Sequence, residues 1–428
     1  MNRAVAELYA PDIITLATKP DTPRIPFKHE IFEEAVKWLH EQGRYSADML
    51  ADPHAHRLIE ETYNALNGAI GASITQETPE EMTYALRNNA FIFSGFKTHR
   101  TLSEVGLELT DDEGNLKPYA KVLEDVRRID DKYNGAYLYA EYNHAVHTTQ
   151  MAVKWQDFVH DGDEYNLQYR TAGDERVREA HLALDGVTLP PSDKFWDRYL
   201  PPNGWNCRCT VVQVLREDFP LSDSEEAIKR GDESTQSIKQ QMFRFNPGKT
   251  LELFPPKHPY LPKGCGDCQL RLNLAWGKGK EQCAACRRTT RYLLKFSRDN
   301  ALNRLKEEQR PPVKIRGEQI QCRRLYYGSK DRENVIQHCG NPQEVIVALR
   351  LDELLPTMQH IGEEALKDKP NTPKKIARGV QCYTVYEFEA EVLEKGQFVK
   401  RAYILKCELI KKGKRRAEEY PYCIRPKE

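Results

Sequence analysis

The sequence predicts an α+β protein of several domains. Three observations carry that prediction: helical apolar periodicity up to about residue 160, strand-like runs after that point and again near the C-terminal end, and a charge sign that reverses between the two halves. A chain of 428 residues exceeds one ordinary domain, so two or three are expected. With 39% hydrophobic and 30% charged residues, the composition is that of a globular protein. No apolar run approaches the ~20 residues that span a bilayer, so no membrane partner is expected. The opening MNRAVAELYAPDIITLATK lacks a charged start followed by an apolar core of signal-peptide length, so export by the usual secretory route is not expected. The 11 cysteines are then read in a reducing compartment, where metal binding is a better first reading than a disulfide framework.

The elements follow in order. Residues 1–27 are Pro-rich and read as an extended segment. A helix follows, with Ile31, Phe32, Ala35, Val36, Trp38 and Leu39 on its apolar side. Residues 57–71 and 79–90 read as two more helices, the second started by Thr78 as cap and Pro79 in the first turn. Asp111-Asp112-Glu113-Gly114-Asn115 reads as a turn. From 119 to about 160 the pattern is helical, and Gly135 suggests a break or a close approach. Beyond His160 short segments alternate with Pro and Gly. Residues 210–215 read as a strand, and residues 221–240 as helix plus loop. The clearest strands are expected at 345–351, 381–391 and 397–410. The expected domains are therefore 28–260, 261–310 and 311–428.

Charge separates the halves. Residues 1–260 hold 29 Lys+Arg against 42 Asp+Glu, and residues 261–428 hold 35 against 22. The basic half is the better candidate for meeting nucleic acid, RNA or packaged DNA, although the two halves could equally attract each other.

The most specific local motif is Cys265-Gly266-Asp267-Cys268 followed by Cys283-Ala284-Ala285-Cys286. Two Cys-x-x-Cys pairs separated by fourteen residues can give four thiolates to one tetrahedral zinc ion. The zinc would be structural, because four thiolates leave no open position. It would supply folding energy that so short a segment lacks. Arg287, Arg288 and Arg291 beside it read as a solvated helix face that can also touch nucleic acid.

A longer ordered series lies upstream. Arg170-Thr171-Ala172-Gly173-Asp174-Glu175-Arg176-Val177-Arg178 leads to His181-Leu182-Ala183-Leu184-Asp185-Gly186. Then come Asp193-Lys194-Phe195-Trp196 and Pro201-Pro202-Asn203-Gly204-Trp205-Asn206-Cys207-Arg208-Cys209. This series is similar to the signature of the phage Mu F-like head morphogenesis family. Phe93-Ser94-Gly95-Phe96-Lys97-Thr98 before it, and Asn246-Pro247-Gly248-Lys249 and His258-Pro259-Tyr260 after it, fit the same family. The resemblance covers roughly residues 28–260. It implies a minor head protein of a phage or prophage, present in a few copies near the portal and working with portal and head proteins. The implied location is the virion, with assembly in the bacterial cytoplasm.

Within the series, His181, Asp185, Asp193, Cys207 and Cys209 are metal-competent. Cys-x-Cys with one His can form a thiolate–imidazole site. The competing reading has His181 and Asp193 hydrogen-bonding loops while Cys207 and Cys209 act as buried small hydrophobes. The lack of a paired Cys-x-x-Cys there weighs toward the second reading. Trp196, Trp205 and the prolines would lock the irregular chain by side-chain packing.

The last domain, 311–428, shows Leu354-Leu355-Pro356-Thr357-Met358-Gln359-His360 opening a helix, then Tyr383-Thr384-Val385-Tyr386, Tyr403-Ile404-Leu405-Lys406 and Tyr420-Pro421-Tyr422-Cys423. The pattern resembles the phage-associated Barnase–EndoU–Colicin E5/D–RelE-like nuclease group. That resemblance implies metal-independent RNA cleavage, which needs a base, an acid and cations for the phosphorane charge. His360 is the expected acid or base, with His338 in reserve; Arg378, Lys400 and Lys406 would hold phosphate, and Tyr383, Tyr386 or Tyr422 would donate a proton or stack a base. The rival reading is a purely structural head protein whose basic tail binds nucleic acid without cleaving it.

Overall fold

The computed structural model describes residue 9 and residues 25–261, 283–315, 318–320, 322–326, 335–367, 372–394, 397–411 and 417–427. Most of the expected extended segment 1–27, and Cys265 and Cys268 of the Cys-x-x-Cys motif, lie outside the described residues. The chain divides into two compact units, Met1–Thr290 and Arg291–Glu428, and the division falls inside the helix Ala284–Glu307.

The first unit begins with α1 (His29–Gln42), α2 (Pro53–Gly71), α3 (Glu80–Glu108), α4 (Tyr119–Asp130) and α5 (Leu138–Asp161). α1 buries Phe32, Ala35, Val36, Trp38 and Leu39, and it stops at Gly43, whose φ of 67° places its N–H on the carbonyls of His40 and Leu39. α2 starts where Asp52 accepts a hydrogen bond from the His54 N–H, with Pro53 in the first turn. α3 runs eighteen residues beyond the expected end at 90, because residues 91–105 are buried almost all round and so show no one-sided period. Between α4 and α5 the backbone passes through a π-helical stretch, Asp131–Tyr137, at the Gly135 position where a break was expected.

The core of this unit is partly polar. The Lys97 ammonium of α3 lies 2.5 Å from the Glu141 carboxylate of α5, and neither side chain reaches solvent. The same carboxylate accepts from the Tyr9 hydroxyl at 2.6 Å and the Tyr260 hydroxyl at 2.8 Å. Burial raises the Glu141 pKa and lowers that of Lys97, so each partner's charge depends on the other. Rings surround the pair: Tyr9 stacks on Tyr137 at 3.8 Å and Phe93 on Phe254 at 3.7 Å. Asn89 accepts from the N–H groups of Leu253 and Phe254, which ties the 251–260 segment to α3.

Beyond α5 lies a small antiparallel sheet of β1 (Asn166–Arg170), β2 (Thr188–Leu189) and β3 (Thr210–Val214), in the order β2–β1–β3. β3 stands where a strand was expected. Trp155 and Phe158 of α5 pack with Leu167, Tyr169, Trp196, Tyr199 and Val211 against this sheet. α6 (Ser224–Ser234) is capped by Asp223, and Gly231 of that helix is so close to the Tyr199 ring that a Cβ would sit 2.5 Å from it. α7 (Ala284–Glu307) follows.

The second unit holds the hairpin β4 (Val313–Ile315) and β5 (Glu318–Ile320), the helix α8 (Pro342–Leu349), and a four-stranded antiparallel meander. Its strands are β6 (Gln359–Ala365), β7 (Val380–Glu394), β8 (Gln397–Ile410) and β9 (Glu418–Pro426), paired in chain order. Between β6 and β7 lies α9 (Thr372–Ala377). Two expectations are corrected. Residues 345–351 are helical rather than a strand. The Asn341 side chain accepts from the Glu344 N–H, Pro342 fills the first turn, and the apolar run is buried all round, which leaves no period to distinguish helix from strand. His360 does not open a helix; it lies on β6, an exposed polar edge strand whose Glu363 and Glu364 blunt further pairing.

Two outcomes follow. Lys97→Met leaves the Glu141 charge buried with only two hydroxyl donors, and is expected to cost about 3 kcal/mol in urea unfolding at pH 7; a loss under ~1 kcal/mol would mean the pair is not ionised in the folded chain. Burial lowers the pKa of His99 to about 4 and of His144 to about 3, and holds His258 well below 6.5. The unfolded chain therefore binds more protons below about pH 6.5, and stability is full above that pH and falls as pH drops, by up to about 1.4 kcal/mol per unit for each histidine. Thermal melts at pH 7.5, 6 and 5 should show a steepening decline, and a melting temperature flat over that range would contradict it.

Candidate metal centre

The signature series folds around the β1–β3 ladder. Arg170 pairs with Thr210 at its end, so the chain leaving β1 at residue 171 and the chain entering β3 at residue 209 lie side by side. The first strand of chain makes a turn at Gly173 (φ 71°) and then a single helical turn, Glu179–Leu182, that carries His181. The second brings in Cys207 and Cys209, preceded by Asn206 in the left-handed region at φ 52°. Residues two apart in extended chain project to the same side, so both sulfurs face one way.

The result is a cluster of three ligand-competent atoms, all within 4.8 Å of one another. His181 Nδ1 lies 3.6 Å from the Cys207 sulfur and 3.4 Å from the Cys209 sulfur. The other ring nitrogen, Nε2, is 3.3 Å from the Asn203 carbonyl oxygen. A carbonyl can only accept, so this contact assigns the proton to Nε2 and leaves the Nδ1 lone pair toward the sulfurs. Asn203 is itself held, because its side-chain oxygen accepts from the Tyr169 hydroxyl at 2.9 Å and its amide donates to the Leu200 carbonyl. Arg178 donates to the Trp205 carbonyl, and Arg208 forms a two-pronged pair with Asp174 at 2.6 and 2.5 Å.

The two thiols act on each other. A hydrogen bond from Cys209, opposed by burial and helped by His181, holds the Cys207 thiol well below its ordinary value, while the same bond and burial push Cys209 up. Burial and then the neighbouring thiols hold the Tyr169 hydroxyl well above 10.

Other metal-competent residues of the series have different partners. Asp193 accepts from the Phe195 N–H and the Ser224 hydroxyl, and Asp185 accepts from the Thr171 N–H. Trp196 is fully buried and donates to the Pro190 carbonyl, and Trp205 packs its ring against Tyr9, so both tryptophans lock the irregular chain as expected. Of the Cys-x-x-Cys motif, Cys283 and Cys286 are described; their sulfurs are 3.2 Å apart at the start of α7.

In the second unit the expected residues do not meet at one point. Tyr383 and Lys406 lie on one face of the meander, where Tyr383 pairs with Glu408 and Val385 with Lys406. An irregularity between His360 and Gly362 pairs His360 with Tyr386 instead, on the opposite face. Lys406 is bound to Glu364, and Arg378 approaches Glu408 at 3.4 Å. The structure gathers a cluster that the sequence reading did not name as a set. Lys375 of α9 lies 2.8 Å from Glu408 and 2.6 Å from the Tyr383 hydroxyl, and 3.8 Å over the Tyr422 ring. His338 packs on the same Tyr422 ring at 4.1 Å. Burial opposes the charge on Lys375, but hydrogen bonds to Glu408, Tyr383 and Tyr422 outweigh it and raise its pKa.

The comparisons with known proteins bear on the first unit. Residues 113–212 match the family described as Phage Mu protein F like protein. Over 188 residues the chain is 27% identical to the capsid assembly protein F of Escherichia phage Mu, a span covering 42% of this chain and 39% of that protein. A stretch of 44 residues is 43% identical to the Mu-like prophage FluMu F protein of Haemophilus influenzae, covering 10% of this chain and 11% of that protein. The chain thus matches about two fifths of the length of the Mu relative. No solved structure matches it. His181, Cys207 and Cys209 all fall inside the family match.

Asn203→Ala removes the acceptor of the buried Tyr169 hydroxyl and loosens the turn that presents the His181 partner carbonyl. The expected cost is about 1–3 kcal/mol in chemical denaturation. Tyr169→Phe together with Asn203→Ala should cost less than the sum of the two single changes, and strict additivity would show that the hydroxyl has another partner.

Proposed function

We propose that this chain is a head-assembly protein of a Mu-like phage or prophage, incorporated into the virion near the portal in contact with portal and head proteins. The observation that carries the reading is the family match over residues 113–212, which spans α4, α5, the first two strands and most of the third. In this reading the first unit acts as a packed scaffold, built around the buried Lys97–Glu141 pair and the rings stacked over it. Assembly takes place in the bacterial cytoplasm. Deleting 311–428 is expected to leave incorporation into heads intact, as measured by immunoblot of purified particles; loss of incorporation by a truncated chain that still folds would refute it.

The second unit is proposed as a metal-independent ribonuclease-like effector, carrying 29 Lys+Arg against 20 Asp+Glu over residues 291–428. The observation favouring it is a half-buried chain of contacts: Lys375 and Arg378 pair with the buried Glu408, Tyr383 bonds Lys375, and the Tyr422 ring lies between Lys375 and His338. Such a set offers the proton donors, acceptors and cations that cleavage at a phosphate needs. His338 then replaces His360 as the acid or base, because His360 and Lys406 stand on opposite faces of the sheet. Full-length protein should cleave RNA, and His338→Ala and Lys375→Ala should each lower the rate about 10²-fold or more with His360→Ala close to the parent. Binding of RNA without cleavage across pH 5–9 would leave the non-catalytic reading, a structural head protein with a basic tail. A structural zinc on Cys265, Cys268, Cys283 and Cys286 is part of the same proposal, and the closeness of the Cys283 and Cys286 sulfurs supports it.

A further inference from the structure

We infer that His181, Cys207 and Cys209 form a second zinc site, independent of the Cys-x-x-Cys motif and of the head-assembly reading. Three features of the geometry point to it. The first is distance. Two ligands on one tetrahedral zinc, with Zn–S about 2.3 Å and Zn–N about 2.0–2.1 Å, stand about 3.5 Å apart. The sulfur-to-nitrogen separations here are 3.6 and 3.4 Å. The second is orientation. A zinc-binding imidazole characteristically gives its other N–H to a carbonyl or carboxylate, which fixes the tautomer and the ring plane. His181 does this through Nε2 to the Asn203 carbonyl, and Asn203 is anchored in turn by Tyr169 and Leu200. The third is the donor set. Two sulfurs and one imidazole nitrogen select zinc over magnesium or calcium, which take oxygen ligands.

The alternatives fit less well. A thiol can donate its S–H to the unprotonated Nδ1, but that nitrogen has a single lone pair, so one such bond leaves the approach of the second sulfur unexplained. Among the described residues no fourth His, Cys, Asp or Glu joins the cluster, so three protein ligands define the site. The ion's role is mechanical. It ties the helical turn at 179–182 to the chain entering β3, across 26 residues of sequence, in a region with little regular backbone pairing.

The test is the zinc content of reduced full-length protein, purified without added metal, for the parent, Cys209→Ser and Cys283→Ser. Cys209 is partly exposed, so serine there is a mild change. Two equivalents in the parent and one in each variant would support both sites. One equivalent in the parent, lost in Cys209→Ser and kept in Cys283→Ser, would support this site and sink the Cys-x-x-Cys one. Equal zinc in the parent and in Cys209→Ser would overturn this proposal. Should Cys209→Ser fail to fold by circular dichroism, alkylation of the parent decides: with iodoacetamide, Cys209 should react at least about tenfold faster after treatment with a strong chelator, and an unchanged rate would overturn the site.

Discussion

The first unit depends on one buried carboxylate. Glu141 gathers Lys97, Tyr9 and Tyr260, which stand 44, 132 and 119 residues away in the chain. A charge removed from water is tolerated only when every lone pair finds a donor, so all three partners must arrive together. That requirement fixes the rotation of α3 against α5 and draws residue 9 and the 258–260 segment onto the same spot. The aromatic rings then close over the pair, with Tyr9, Tyr137, Trp205 and Phe254 filling the space between helices and loop. Apolar packing alone would give cohesion there; the ion pair adds register.

From that frame the loop-rich segment acquires its order. α5 presents Trp155 and Phe158 to the small sheet, and the β1–β3 ladder sets residues 171 and 209 beside each other. His181 and the Cys207–Cys209 pair meet because of that register, held by Asn203, Arg178 and the Arg208–Asp174 pair on either side. A slip of one residue would send the two sulfurs to the other face. The cluster is therefore a consequence of strand pairing.

The second unit shows the same dependence in a different form. Its meander has one face lined by Thr384, Tyr386, Phe388, Ala390 and Val392, all buried, and another whose polar groups converge on Glu408. A single irregularity in the edge strand moves His360 to the apolar-lined face, while α9 delivers Lys375 to the polar one. Which cations share a surface with which acids is decided by this register and by one short helix, not by proximity in sequence.

The sequence by itself determined the helices with one-sided periods, such as α1, and the β-rich strands β3, β7 and β8, because those patterns report burial directly. It also named His181, Cys207 and Cys209 as a possible set, and the Cys-x-Cys spacing carried a usable signal in the common side of two extended residues. Where burial is complete on all sides, as in α3 and in α8, the period vanishes and the local pattern misleads. The placement of His360, and the gathering of Lys375, Tyr383, Glu408 and Tyr422, were decided only by tertiary structure. Each joins residues through pairing register across strands, and register is an energy of the whole sheet that no local stretch of sequence contains.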